Sequence, residues 1–279
     1  MTTGNPADRR SAQVAIIVVR FKKPLHEISL LRALPMIDLS AVPEVIIVDN
    51  SPEPAPADEI ATLPSVIKYR WLGGNVGLAR AYNSAVEQLQ SSWTHVVFLD
   101  QDTAGLPRLF DRLAEGLGAE VTLPAVRAGN AIISPCRRIG PWYLPLRRVG
   151  EVPANISWIN SGMTVARGTV SSNPFDEELF LDYVDHQFAR SSLAGGAHVE
   201  VCWDVMLDQD YSRDTDNEQQ ALARFRTFNR DVRQFYRGTL VGQLWGWALT
   251  LRRALGATVH YRTSAFIFSW LRTGRTSHG

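Results

Sequence analysis

The sequence predicts an α/β fold with a mostly parallel central sheet covered by helices on both faces. Two observations carry this expectation. Short, wholly apolar runs alternate with amphipathic stretches through the first half of the chain, and two of those runs end abruptly in aspartate. Strands buried on both faces read as continuous Val, Ile and Leu runs, and their alternation with helices is the pattern of doubly wound sheets. In such sheets, ligands bind beyond the carboxyl ends of the strands.

The elements follow in order. Residues 13–21, "QVAIIVVRF", predict a first strand, and residues 25–34, "LHEISLLRAL", a helix. "VPEVIIVDN" is a second strand ending in Asp49, followed by the proline-rich surface loop "SPEPAPADE". "IKYRWL" is a short strand, and "NVGLARAYNSAVEQLQSS" is a helix with Asn75 near its start. In "THVVFLDQD", the apolar residues Val96 to Leu99 run straight into Asp100 and Asp102. Side chains two apart on extended chain point to one side, so both carboxylates can face one ligand. Two like charges held close repel unless something positive sits between them. A single D-x-D also reads as a polar strand end opening a turn.

Beyond Asp102 the character changes. "LPRLFDRLAEGLG" predicts a helix, "AVRAGNAIISP" (125–135) a single strand, and "RRIGPWYLPLRRVGEV" a basic, aromatic loop or hairpin. "ISWINSGMTVAR" is a strand region and "SSNPFDEELF" a sharp turn. "LDYVDHQFARSSLAGG" (181–196) is a helix ended by Gly195 and Gly196, and "HVEVCWDVML" a final strand. The last fifty residues read as helices rich in Arg, Trp and Phe. The chain divides into a disordered start at 1–12, a main domain at 13–236, and a C-terminal amphipathic helical segment at 237–279.

Composition bounds the function. The 279 residues are 45% hydrophobic and 20% charged, enough for a sizeable core. With 29 Lys and Arg against 28 acids, no global charge favours nucleic acid. Cys136 and Cys202 lie far apart without C-x-x-C spacing, so neither a zinc site nor a disulfide framework is expected, and a reducing cytoplasmic location fits. The start "MTTGNPADRRSAQ" lacks the apolar core of a signal peptide, and no run of about 20 apolar residues marks a membrane span. "GGNVGLA" lacks the G-x-G-x-x-G spacing and does not follow the first strand, which argues against a dinucleotide site.

The motifs "VIIVDNS", "GGNVGLARAYNSAV", "FLDQDT", "WINSGM" and "FDEELFLDYVDHQF" occur in an order and spacing that resembles the family 2 glycosyltransferases, and their bacterial rhamnosyltransferase-like branch in particular. The resemblance covers roughly Val14 to Tyr236. It implies a GT-A fold, a dTDP- or UDP-sugar donor, Mg²⁺ or Mn²⁺, and inversion at the anomeric centre. A hard cation on carboxylate oxygens would stabilise the charge growing on the diphosphate leaving group. By resemblance, Asp102 is the metal ligand, Asp100 lies nearer the ribose or completes the metal shell, and Asp49 hydrogen-bonds the nucleobase. Asn75 and Gly77 shape the loop beside the nucleotide, and Asn83 packs or hydrogen-bonds one turn later.

An inverting transfer needs a base for the acceptor hydroxyl. The acidic pair of the family aligns with Val184 and Asp185, which makes Asp185 the expected base. Asp182, one helical turn earlier on the same face, is the reserve. Glu177 and Glu178 read as a solvated face, and His186 as a structural residue or a metal or phosphate contact. Three positions depart from the family pattern. The first strand ends in Arg20, Phe21, Lys22, Lys23, so Arg20 is expected to answer the nucleotide's charge. "MLDQDYSRD" lacks the histidine that relatives often carry after the last strand, and Asp231 stands where Asn is common.

The resemblance implies a saccharide or lipid-linked acceptor in cell-surface polysaccharide synthesis, at the inner face of the cytoplasmic membrane. The tail mixes Trp245, Trp247, Phe266, Phe268 and Trp270 with Arg252, Arg253, Arg262, Arg272 and Arg275. It reads either as a peripheral membrane contact or as packing on the main domain or on a second subunit. Two other functions compete. A sugar nucleotidyltransferase would carry a glycine-rich loop after strand one, where "VVRFKKPLHEI" has no glycine. A carbohydrate-binding scaffold would not need Asp100, Asp102 and Asp185.

Overall fold

The computed structural model describes residues 13–273 apart from 40, 41, 43, 91, 92, 148–150 and 210–216. The 1–12 segment expected to be disordered and Arg275 lie outside the described residues. The elements run β1 (Val14–Arg20), α1 (Ser29–Ala33), β2 (Val45–Asp49), α2 (Ala57–Ala61), β3 (Ile67–Trp71), α3 (Leu78–Gln88), β4 (His95–Asp100) and α4 (Leu106–Ala114). There follow β5 (Val121–Ala128), β6 (Ala131–Ser134), β7 (Cys136–Ile139), β8 (Trp142–Pro145), β9 (Ile156–Ser157), β10 (Thr164–Ala166), α5 (Arg167–Ser172), α6 (Val184–Ala194) and β11 (Val199–Asp208). Helices α7 (Glu218–Phe235), α8 (Leu240–Tyr261) and α9 (Ala265–Thr273) complete the chain.

The main sheet has the order β11-β5-β10-β4-β1-β2-β3, with β6 paired to β5. Strands β1 to β4 are mutually parallel along this path, and β11 is parallel to β5. The short β10 runs antiparallel to both β4 and β5. Strand order reverses between β1 and β4, which is where a crevice opens at the carboxyl ends. The register places Arg20 opposite Asp49 and Val19 opposite Asp100, so the strand-end residues share one edge. Because β10 runs the other way, the turn leading into it lies over that same edge, with the Gly162 amide donating to Phe98 O at 2.8 Å.

Period-two alternation along β1 and β4 feeds two cores. Ala15, Ile17, Val96 and Phe98 pack under α3 and α6, while Ile16, Val18, Val97 and Leu99 pack under α1 and α4. On the first face, Tyr82, Phe98, Phe175 and Phe188 form a continuous aromatic stack with centroids 4.6–5.2 Å apart. That stack ties α3, β4 and α6 together immediately beneath the strand ends.

Two expected elements are divided. The helix expected at 25–34 is two short 3-10 turns around α1, because Ile28 is extended at ψ 125° and the Ser29 amide bonds Gln101 O at 2.9 Å. The tertiary bond outcompetes the local helix. The strand expected at 125–135 begins earlier, at Val121, and folds back as the hairpin β5–β6, turning at Gly129 with φ 58°. The basic, aromatic stretch is indeed a hairpin, β7–β8, completed by β9 into a second three-stranded sheet. The boundary expected at 236 falls at the end of α7, and α8 and α9 pack back onto α7 through Phe225, Ala254 and Phe266.

Gly162 fixes the turn over β4. It has φ 77°, and an added Cβ would stand 2.4 Å from Leu207 Cδ1 and 2.8 Å from Pro124 Cγ. Gly162→Ala is expected to destabilise the fold by about 1–3 kcal/mol through strain and overpacking. Denaturant unfolding reads this, and an unchanged midpoint would show that the turn can relax.

Candidate active site

A cleft of about 460 Å³ opens at the switch between β1 and β4. Val19, Phe21, Asn50, Asn75, Asp100 and Asp102 line it, joined from across the opening by Asp185, Gln209 and Arg224.

One wall is built on a buried ion pair. The Arg20 guanidinium binds the Asp49 carboxylate and donates to Ser51 Oγ at 3.1 Å, with both residues almost wholly buried. Asp49 also accepts from the Ser51 and Ala55 amides at 3.0 and 3.1 Å and from the Tyr69 hydroxyl. Its oxygens are therefore taken up by the protein, and it does not line the cleft. Burial, followed by the bond to Asp49, pushes the Tyr69 phenol up to about 12. What this network presents to the cleft is the next residue, Asn50. Its amide donates to Asn75 Oδ1 at 3.1 Å, and its oxygen accepts from the Val76 amide at 2.8 Å. Gly77 then turns at φ 91°, with a virtual Cβ 2.8 Å from the Phe180 ring, so no side chain fits there.

The centre holds the acids. Asp100 ends β4, and its carboxylate accepts from Ser161 Oγ at 2.5 Å and more weakly from the Tyr82 hydroxyl at 3.5 Å. Asp102, in the following turn, accepts from Gln209 Nε2 at 2.8 Å, while Gln209 Oε1 accepts from Ser161 at 2.8 Å. Ser161 and Gln209 thus bridge the two carboxylates with neutral groups. Burial, opposed by the bond from Ser161 and reinforced by the charges of Asp102 and Asp185, raises the Asp100 carboxyl to about 6. Like charges acting on one another at one opening favour added positive charge there.

The far wall is the start of α6. Tyr183 precedes it in a left-handed conformation, φ 67°, a strained state that persists only where the surroundings impose it. Here the wholly buried Asp231 of α7 imposes it, accepting from the Leu181 and Asp182 amides at 2.8 and 3.0 Å while Arg230 pairs with it at 2.9 Å. Asp185 is thereby aimed into the cleft, its Oδ1 also accepting from the His186 amide at 2.7 Å. Asp182 lies off the cleft lining. Burial raises its carboxyl to about 6, with Arg253 opposing and Asp231 and Asp185 adding to the rise.

Several sequence expectations resolve locally. Asn83 exchanges bonds of 2.9 Å with the Phe175 backbone and so clips the 173–180 turn to α3. Glu177 and Glu178 sit on the surface, paired to Arg80 at 3.1 Å and Arg237 at 2.6 Å. His186 does not line the cleft; it stacks on Tyr143 and bonds Ser157. In the tail, Arg233 stacks 3.9 Å over Trp247, which stays partly exposed, and the half-buried Trp270 donates its indole N–H to Thr250 at 3.0 Å. Leu240, Leu244, Leu255, Val259 and Phe268 remain exposed. No helix among the described residues is long and apolar enough to cross a membrane.

Sequence reasoning missed Ser161, Gln209 and Asp231 as site residues. Each was visible, Ser161 within "WINSGM", Gln209 where a histidine was sought, and Asp231 as a noted departure. Their partners lie 48 to 107 positions away, which only the fold reveals.

The strand order and the cleft at its switch define a fold class, the GT-A fold. Residues 30–150 match the model of Glycosyl transferase family 2. A curated relative, the dTDP-rhamnosyl transferase RfbF of Shigella flexneri, is 27% identical over 179 residues, 58% of each chain. The chain thus spans a little over half the length of that relative. Among solved structures, the mannosyltransferase PcManGT of Pyrobaculum calidifontis, in complex with GDP-Man and Mn²⁺, superposes with a TM-score of 0.57 at 12% identity, over 99% of this chain and 90% of that one. GalNAc-T7 with UDP, GalNAc and Mn²⁺ gives 0.56 at 12% identity, over 96% and 58%. At such identity these two likenesses show the fold, which is GT-A.

The donor chemistry of the acids suits a divalent cation. Among the described residues no group of three His, Cys, Asp or Glu is gathered to hold a metal. Mg²⁺-like ions are commonly held by one or two carboxylates, with substrate phosphates and water completing the shell. Asp100 and Asp102 provide that pair.

Because the Ser161 hydroxyl stabilises the ionised form of Asp100, Ser161→Ala is expected to move the Asp100 titration above its present midpoint of about 6. Carboxyl-carbon NMR measures it. An unmoved midpoint would mean that the hydroxyl does not bind the carboxylate in solution.

Proposed function

We propose that the protein is an inverting glycosyltransferase that moves a sugar from a nucleoside-diphosphate donor, with dTDP-rhamnose the foremost candidate, to a saccharide or lipid-linked acceptor of the cell surface. The observation that carries this reading is the convergence of Asp100 and Asp102 with Asp185 across a single cleft at the strand-order switch. The similarity to RfbF supports rhamnose.

In this reading Asn50, Asn75 and the Gly77 turn receive the nucleoside, held by the Arg20–Asp49 pair behind them. Asp49 acts on the nucleobase side through the loop it braces, and Arg20 through Asp49 and Ser51. Asp102, with Asp100, would hold Mg²⁺ or Mn²⁺, which would supply positive charge to offset that on the diphosphate. Gln209 and Ser161 orient the two carboxylates, with Gln209 standing just beyond the last strand where relatives often place a histidine. Asp185 takes the proton from the acceptor hydroxyl as its oxygen attacks the anomeric carbon. The bond from that carbon to the diphosphate oxygen breaks on the opposite side, and the nucleoside diphosphate leaves with the electron pair. A nucleotidyltransferase or a scaffold gains no comparable support, since the loop after β1 has no glycine and all three acids stand at the cleft.

Asp102→Asn is expected to abolish most transfer and weaken nucleotide-diphosphate binding in Mn²⁺ while leaving the circular dichroism unchanged. Full activity in EDTA would refute the metal role.

Asp185→Asn is expected to slow transfer about 10²- to 10⁴-fold with little change in donor affinity, because the base touches the acceptor. Asp182→Asn, off the cleft, is expected to have the smaller effect. Steady-state release of nucleoside diphosphate measures both, and the reverse ranking would exchange their roles.

A further inference from the structure

The first turn of α6 separates the donor cleft from a second cavity of about 160 Å³. Asp185 lines the first and the next residue, His186, lines the second. Arg190, one helical turn on from His186, shares that face. Arg138 of β7, Tyr143 of β8, and Asn155 and Ser157 at β9 close the other sides.

The charges of this cavity are unbalanced. Two guanidinium groups face it, and among the described residues neither Arg138 nor Arg190 has a carboxylate within ion-pair distance. Arg190 stacks 3.9 Å over the Phe235 ring, and its buried Nε has no hydrogen-bond partner. Its pKa is lowered first by burial, and the charge of Arg138 lowers it further. The Tyr143 hydroxyl is buried beside Arg190 and Tyr236, and burial keeps the phenol protonated. Burial lowers the His186 pKa, so the ring stacked 3.7 Å on Tyr143 and bonded to Ser157 is held towards its neutral form. Converging like charges beside the unpartnered Arg190 Nε are relieved when an anion completes them, and planar guanidinium groups match the oxygens of a phosphate. The hairpin carrying Arg138 and Tyr143 also exposes Ile139, Trp142 and Leu144, with Arg252 of α8 lying 5.6 Å from the Trp142 ring.

We propose that this cavity is an oxyanion site, separate from the donor cleft, that seats the phosphate group of the acceptor between Arg138 and Arg190. The oxyanion site is read from the cavity itself; its assignment to the acceptor rests on the glycosyltransferase reading above. Bound there, a phosphate would hold its attached hydroxyl-bearing group one helical turn from Asp185. The exposed apolar hairpin suits a phosphate carried on a lipid, and a soluble phosphate ester offers the same chemistry.

The test uses the full chain and two probes, inorganic phosphate followed by calorimetry, and vesicles of phosphatidic acid in phosphatidylcholine followed by sedimentation. Phosphate is expected to bind saturably and to be weakened about tenfold or more by Arg138→Gln, an exposed position, and by Arg190→Gln, checked for folding by circular dichroism. UDP with Mn²⁺ is expected not to displace it. Vesicle binding that depends on phosphatidic acid and on Arg138 identifies a lipid-borne phosphate, whereas phosphate binding without vesicle binding identifies a soluble one; either supports the site. Failure of phosphate and vesicles alike to bind, binding indifferent to Arg138→Gln, or displacement by UDP with Mn²⁺ overturns it. UDP titration of the same samples reports on the donor cleft independently. If UDP fails to bind while phosphate binding persists, the glycosyltransferase reading falls and the oxyanion site stands.

Discussion

Everything at the cleft is organised by the need to hold carboxylates of one sign together. Two unit charges about 4 Å apart near a protein surface repel by about 4 kcal/mol. Neutral donors offset part of that here, the Ser161 and Tyr82 hydroxyls on Asp100 and the Gln209 amide on Asp102. A hydrogen bond to a charged group contributes about 1.5–3 kcal/mol. Burial is the main cause of the raised Asp100 pKa, and the charges of Asp102 and Asp185 add to it; a cation would offset that added part. The antiparallel β10 is what makes this possible, because a parallel strand there would begin at the opposite end of the sheet and Ser161 could not reach the β4 terminus.

The walls are rigid for separate reasons. On the wall formed by β1 and β2, a buried arginine–aspartate pair is surrounded by additional donors, so neither charge is left unsatisfied. Breaking it would strand a buried charge and release the loop that carries Asn50. On the opposite wall, the strained Tyr183 backbone depends on Asp231, a residue in a different helix. The start of α6 is therefore coupled to α7. Because α8 and α9 pack on α7, the C-terminal helices belong mechanically to the site rather than hanging from it.

Those helices satisfy part of each reading open to the tail. Trp270 and Phe266 are spent on packing, with Arg233 and Arg253 stacked on aromatic rings. The buried stripe of α8 is made of small residues, Gly242, Gly246, Thr250 and Ala254, which lets it lie close to α7 and turns its larger side chains outward. The outward apolar face therefore follows from how the helix is packed.

The sequence by itself determined the sheet. Unbroken apolar runs at β1, β2 and β4 can be satisfied only by burial on both faces, and their terminal acids then lie at one edge; β1, β2, β3, α3 and β4 stand where their local patterns placed them. Local pattern also marked Asp100 and Asp102, because acids ending a buried strand are chemically conspicuous, whereas Asp185 was marked by resemblance to the acidic pair of a family. Tertiary structure alone decided the rest. It divided the helix at 25–34, since the bond to Gln101 comes from 72 residues away, and it opened the strand at 125–135 into a hairpin. It turned Asp49 inward as a brace and brought Ser161, Gln209 and Asp231 to the acids. Such choices depend on long-range hydrogen bonds and opposed charges, which leave no period in the chain and become visible only when the strands are placed side by side.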